Sequence, residues 1–169
     1  MIFPVESQSS VRSAPALPLT TRLGPVQIAV TDRDKALVIW RDVVGLELIS
    51  ETGNELRLGA GGKVLIVLET GAVRPVVQRT TGLYHVAILY PTRALLADAL
   101  RRVLAAGIEL DGASDHGVSE ALYLRDPDEN GVELYRDRPK EEWPRAPDGS
   151  LAMFTKRLDL DDLLRQREV

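Results

Sequence analysis

Both histidines of this 169-residue chain lie between Gly82 and Asp137, in the company of a tyrosine and a glutamate set in apolar runs. His85 sits in Gly82-Leu83-Tyr84-His85-Val86-Ala87-Ile88-Leu89, and His116 follows Ser114-Asp115. Tyr123 lies in Ala121-Leu122-Tyr123-Leu124, and Glu133 in Val132-Glu133-Leu134-Tyr135. Side chains alternate faces along a strand. His85 and Ala87 therefore oppose Val86 and Ile88, Tyr123 opposes Leu122 and Leu124, and Glu133 opposes Val132 and Leu134. The aliphatic sets suit a side covered by helices, so His85, Tyr123 and Glu133 converge on the other. Imidazole with carboxylate suits a divalent iron, manganese, zinc or nickel ion with positions left open for water and substrate. Each residue alone also has an ordinary reading: a hydrogen-bonded core histidine, a glutamate paired with arginine, a rim tyrosine, and a loop histidine at 116.

The elements that must position these residues occur twice. Val26, Ile28 and Val30 alternate with polar or small neighbours and predict a strand. Thr31 or Asp32 can cap a helix carrying Ala36, Leu37, Trp40, Val43 and Val44, and Gly45 stops it. Three hairpin-linked strands follow, over Leu46–Thr52, Glu55–Leu58 and Val64–Glu69. After an irregular linker at 70–81 the unit starts again. A strand is predicted over Tyr84–Tyr90, then a helix from Pro91-Thr92 to the stop at Gly107. Strands over Ile108–Ala113, Val118–Arg125 and Gly131–Arg136 complete the second copy. The turn through Asp126–Gly131 is rich in hairpin-loop residues. Val26-Gln27-Ile28 aligns with Val86-Ala87-Ile88, and Gly45-Leu46-Glu47-Leu48 with Gly107-Ile108-Glu109-Leu110. An internal repeat of this kind governs the fold assignment. The class is α+β: paired βαβββ modules forming a curved mixed sheet, helices on its convex face and a ligand on its concave face. The expected divisions are a flexible extension at 1–21, module one at 22–70, module two at 82–137, and a tail with a helix at 138–169. Ile2, Phe3 and Val5 could instead strap the extension to the domain or to a partner.

Composition narrows the function classes. The net charge of −4 gives no electrostatic footprint for nucleic acid. There are no cysteines, hence no disulfide, thiolate ligand or cysteine nucleophile. No apolar run is long enough to span a bilayer, and the start lacks a signal-peptide pattern, so a cytoplasmic location is expected.

At Gly82-Leu83-Tyr84-His85, at Ser114 through Tyr123, and at Asp126-Pro127-Asp128-Glu129-Asn130-Gly131-Val132-Glu133-Leu134, the sequence resembles the vicinal oxygen chelate superfamily of glyoxalases, bleomycin-resistance proteins and extradiol dioxygenases. Catechol 2,3-dioxygenase-like members are the nearest in pattern, over about residues 22–137. The resemblance implies the same paired modules, and it implies metal ligands at His85 and Glu133. Tyr123 resembles a substrate-contacting tyrosine, and His116 matches a motif histidine, so these two are the candidate catalytic residues. Two positions depart from the family pattern. Pro25 stands where the first module carries a histidine, and Val67 stands where a glyoxalase carries a carboxylate.

Two functions follow as expectations. One is Fe(2+)-dependent extradiol cleavage of a catechol-like diol at a degenerate metal site. The other is metal-free binding of a small aromatic molecule or drug, as in the bleomycin-resistance branch. A glyoxalase-type isomerase is disfavoured by Val67. The resemblance, the terminal extension and the apolar last helix also imply a homodimer. Gln27 and Glu69 lie two residues further along the same strands than Pro25 and Val67, on the same face, and Glu69 or His116 is the candidate for a shifted ligand.

Overall fold

The structure, a computed structural model, describes residues 16–77 and 79–167. The anticipated contacts of Ile2, Phe3 and Val5 fall outside the described residues. Strand β1 (Val26–Val30) buries Ile28 and Val30 and exposes Gln27 and Ala29. Helix α1 (Arg33–Leu37) begins where the Asp32 carboxylate accepts the backbone N–H groups of Asp34 and Lys35 at 3.0 and 3.1 Å. That contact satisfies two of the donors a helix start leaves unpaired. The helix then widens into a π-helical stretch, Val38–Val43, which seats Trp40 in the core. Helix α2 (Arg93–Ala105) is capped by the Thr92 hydroxyl, which accepts Leu95 N–H at 3.1 Å. The stops at Gly45 and Gly107 have φ of +88° and +67°, a backbone region that costs glycine nothing and other residues considerably more.

Strands β2 (Glu47–Thr52), β3 (Glu55–Ala60) and β4 (Lys63–Thr70) join β1 in one mixed sheet, in the order β1-β4-β3-β2. Strands β5 (Val86–Leu89), β6 (Gly112–Asp115), β7 (Ser119–Arg125), β8 (Gly131–Asp137) and β9 (Lys156–Arg157) form the second, in the order β5-β8-β7-β6-β9. In each sheet the first strand of the unit pairs parallel with the last, β1 with β4 and β5 with β8. The α+β class and the repeated βαβββ order are therefore as expected. The hydrogen bonding closes into two sheets, whereas the sequence reading anticipated a single curved one.

The sheets share a core. Leu37, Trp40, Val43 and Val44 from module one belong to the same buried cluster as Leu96, Leu100, Val103, Leu122 and Leu134 from module two. Full burial of a leucine contributes about 1.5–3 kcal/mol, so this cluster dominates the fold's stability. Polar contacts fix the register between the halves. The Tyr90 hydroxyl donates to Val44 O at 2.5 Å, Arg102 Nε donates to Val43 O at 2.8 Å, and Thr31 N–H donates to Asp128 Oδ2 at 3.0 Å.

Two strand boundaries need correction, and one strand is additional. The strand expected over Ile108–Ala113 is Gly112–Asp115. Ile108 and Leu110 pack against the core from extended chain that has no strand partner. The strand expected over Tyr84–Tyr90 is Val86–Leu89, with Tyr90 N–H still donating to Tyr135 O at 2.7 Å beyond its end. Strand β9 was not anticipated at all. The last helix, α3 (Leu160–Leu164), docks on its own chain. Leu163 is fully buried, Arg101 donates to Leu164 O and Gln166 O at 2.6 and 2.5 Å, and Arg93 pairs with Asp162 at 2.8 Å. Among the described residues, no helix is long and apolar enough to cross a membrane.

Candidate functional site

The register of module two brings the four residues singled out above into one row of contacts. Ala87 lies opposite Glu133, and Glu133 lies opposite Tyr123. His85 immediately precedes β5, on the side of Ala87. Its Nε2 is 2.8 Å from Glu133 Oε2. The His85 and Tyr123 rings are 6.3 Å apart between centroids. His116 stands beyond Tyr123, with Nε2 3.2 Å from the Tyr123 hydroxyl and Nδ1 3.1 Å from Thr155 Oγ1. Glu133 is the most enclosed of the acid–imidazole pair, its side chain 14% exposed against 30% for His85.

Close packing sets the position of His85. A Cβ on Gly131 would lie 2.4 Å from Tyr84 O and 3.0 Å from His85 Cβ. The start of β8 therefore allows the Tyr84-His85 backbone to pass only because residue 131 has no side chain. Beside His85 opens a cleft of about 390 Å³, lined among others by Tyr84, Asp111, Ser114, Tyr123 and Arg125. Tyr84 exposes most of its ring, which lies 4.9 Å from the His85 ring. Arg125 crosses the mouth to Asp111, Nε to Oδ2 at 2.9 Å.

Burial, then the charge of Glu133 and a hydrogen bond to it, raise the pKa of Tyr123 to about 12. At neutral pH the phenol keeps its proton and can donate a hydrogen bond. Tyr135, further along β8, is raised mainly by burial, with Asp137 and Glu133 adding to it.

The donor set for a metal is short. His85 and Glu133 offer one nitrogen and one carboxylate, and among the described residues no group of three His, Cys, Asp or Glu could hold an ion. In module one, Val67 pairs with Gln27 across the sheet and is buried outside the shared core, so an aliphatic side chain fills that place. Pro25 is exposed and offers no donor. Glu69, considered as a substitute ligand, is taken up within module one: it accepts from Gln27 Nε2 at 3.0 Å and from Asn54 Nδ2 at 3.4 Å. Two protein ligands do not complete an iron site.

The sequence reading overlooked Glu120 and Thr155. Glu120 is buried in β7 and collects three arginines: Arg93 Nε at 2.8 Å, Arg136 Nε at 2.9 Å and an Arg138 guanidinium nitrogen at 3.2 Å. Arg138 also pairs with Asp115 at 2.9 Å, next to His116. A glutamate entering the apolar run Ala121-Leu122 was the available signal. Thr155 carried none.

The sequence matches the family described as the Glyoxalase/Bleomycin resistance protein/Dioxygenase superfamily over residues 22–134. The chain belongs to this superfamily. Among superfamily relatives, it is 40% identical over 149 residues to the catechol-2,3-dioxygenase of Bacillus subtilis (strain 168), covering 86% of this chain and 52% of that protein. It therefore spans about half the length of that relative. A shorter match, 45% identical over 58 residues, links it to biphenyl-2,3-diol 1,2-dioxygenase 3 of Rhodococcus globerulus, covering 34% of this chain and 30% of that one. Among solved structures, a glyoxalase/dioxygenase from Nostoc punctiforme superposes with a TM-score of 0.63 at 16% identity, over 77% of this chain and all (100%) of that one. The fosfomycin resistance protein FosX of Listeria monocytogenes superposes with a TM-score of 0.58 at 21% identity, over 72% of this chain and 95% of that one. At these identities the solved structures speak for the superfamily fold alone.

Proposed function

We propose that the concave face of module two binds a catechol-like vicinal diol, and that this chain takes part in extradiol ring cleavage. His85 and Glu133 are then its contribution to a divalent iron site. The observation that carries the reading is the Glu133 carboxylate, set between His85 Nε2 and Tyr123 on one face. The identity to a catechol-2,3-dioxygenase over most of the chain supports it. The chain's own residues have separable tasks. Tyr123, protonated at neutral pH, donates a hydrogen bond at the cleft wall. His116, in contact with the Tyr123 hydroxyl, is the group that can hold or move a proton there. Tyr84 offers an aromatic surface beside His85. With two protein ligands an ion would be held weakly, its other positions left to water and substrate. A homodimer belongs to the same reading; a chain that sediments only as a monomer at micromolar concentration would count against it.

A second reading is favoured by the short donor set: a metal-free pocket that sequesters a small aromatic molecule. Titrating catechol into the chain with and without anaerobically added Fe(II), then admitting oxygen, separates the two. Oxygen uptake that needs Fe(II) and disappears in His85→Ala supports ring cleavage. Catechol binding with no oxygen uptake supports sequestration. No binding in either condition removes both.

A further inference from the structure

A second cavity lies on the side of module two away from the cleft. Along β7 and β8, Glu120 and Arg136 share the face of Leu122 and Leu134, opposite Tyr123 and Glu133. The tail closes over the end of this face. Strand β9 pairs antiparallel with β6, Ser114 opposite Arg157 and Asp115 opposite Lys156, and Leu158 is buried. Arg93 at the start of α2 reaches Asp162 of α3 at 2.8 Å. Tail and module together enclose about 360 Å³, lined by Arg93, Arg136, Arg138 and Arg157 with Glu120, Asp115, Asp159 and Asp162.

Cations and anions are equal in number there, but spare donors and acceptors are not. Both oxygens of Glu120 are taken, Oε1 by Arg138 and Oε2 by Arg93 and Arg136. Asp162 accepts from Arg93 at one oxygen and from Arg165 at the other. Asp115 accepts Gly117 N–H at 2.8 Å and Arg138 at 2.9 Å. Asp159 caps α3, accepting Asp162 N–H at 2.8 Å. Each arginine, by contrast, carries five N–H donors in a fixed fork. Arg138 serves both its acids through one terminal nitrogen, and its Nε is buried without a partner. Arg157 is exposed and pairs with no acid among the described residues. Glu120 is also the most withdrawn group, 3% exposed against 12–24% for its three arginines. A ligand entering the cavity therefore meets guanidinium groups before it meets that carboxylate.

We propose that this cavity is a binding site for a small oxyanion, phosphate or a phosphoryl group, held by Arg157 from the tail and by Arg93, Arg136 and Arg138 from module two. Such an anion brings the acceptor oxygens that the cavity lacks, and guanidinium forks match its geometry bidentately. A cation would find the acid oxygens already engaged, and an apolar ligand would find little but Leu158 among the lining groups. Because its donors come from both β9 and the body of module two, the anion braces the tail against β7. The site makes no use of the cleft or of a metal, so it stands apart from the ring-cleavage reading.

The test is a titration of inorganic phosphate into the full chain at low ionic strength, read by calorimetry and by backbone amide shifts. Sodium chloride at matched ionic strength controls for screening. The expected result is saturable binding of one phosphate per chain, with shifts centred on residues 156–159 and absent beside His85. Arg157→Gln should bind at least about tenfold more weakly, the loss of a charge-assisted hydrogen bond. Its thermal midpoint without phosphate should equal the parent's, since the exposed side chain leaves no partner behind. Arg157→Lys should fall between the two. Lys63→Gln, which removes an exposed charge from module one, should bind as the parent does. Tighter binding of glycerol 3-phosphate than of phosphate assigns the site to the phosphoryl group of a larger molecule, and the reverse assigns it to the free ion. The proposal is overturned by the absence of saturable binding, by heats that chloride reproduces, by shifts confined to the surroundings of His85, or by equal affinity in the parent and Arg157→Gln.

Discussion

His85 Nε2 and Glu133 Oε2 meet at 2.8 Å, one from the residue before β5 and the other from the middle of β8. Without an ion, the imidazole N–H donates to the carboxylate. A divalent ion would use the same nitrogen lone pair and the same oxygen, so it must displace that proton. Glu133→Gln keeps the shape and removes the charge. Fe(II) affinity in an anaerobic titration is expected to fall at least about tenfold, the lower end of the range for losses around a metal site. Equal affinity in parent and variant would exclude Glu133 as a ligand.

Gly131 and Gly82 provide a matched pair for the packing argument. Gly131→Ala drives a methyl into Tyr84 O and the His85 Cβ, whereas Gly82 has nothing within 4 Å. Gly131→Ala is expected to cost about 1–3 kcal/mol by overpacking and to weaken catechol binding through displacement of His85. Gly82→Ala should alter neither. Chemical denaturation and a binding titration on the two variants check this.

Tyr90 couples the modules through a buried hydroxyl, and its pKa is raised to about 12, burial outweighing the opposing influence of Arg102. The native state then holds this proton more tightly than the unfolded chain, whose tyrosines titrate near 10.0. Its contribution is complete below pH ~10 and is lost as pH rises toward ~12. Tyr90→Phe should make the alkaline loss of stability shallower over that window. It should not abolish it, because Tyr123 titrates there as well. At neutral pH the variant should lose about 0.5–1.5 kcal/mol, the net value of one hydrogen bond. The Val44 carbonyl keeps a second donor in Arg102 at 3.3 Å, which limits the cost.

Glu120 is the anion for three guanidinium groups, its own side chain only 3% exposed. Glu120→Ala would leave those cations partly buried without their partner, and removing one member of a buried pair costs about 3–5 kcal/mol. The Asp115–Arg138 contact would loosen with it, so His116 should be more mobile in the variant. Urea denaturation and the linewidths of the His116 signals are the measurements. A cost below about 1 kcal/mol would mean that the arginines are solvated after all.

The period-two patterns around Tyr123 and Glu133 were enough to place both side chains on one face, because each is bracketed by aliphatics that had to turn toward the helices, and His85 joins them from its place two residues before Ala87. Gly45 and Gly107 marked the helix ends for a similarly local reason. The boundary error at Ile108–Ala113 arose because Ile108 and Leu110 alternate like strand residues and bury like them. Pairing is decided elsewhere in the chain, where Glu120 of β7 lies opposite Asp115 and Tyr123 opposite Gly112. Thr155 was illegible for a different reason. A polar residue in a stretch without periodicity becomes informative only once the tail is folded back beside His116.

Strand β9 is two residues long and carries Lys156 and Arg157, yet it lies where β6 would otherwise end the sheet. An unpaired strand edge is a template for recruiting further chains, and β6 itself offers no lysine, proline or bulge to discourage this. The tail covers that edge. A chain truncated before Lys156 is expected to elute in a concentration-dependent series of larger species, while the full chain does not. The basic pair at the new edge repels like-charged edges of other copies, so the protection comes from charge as well as from coverage.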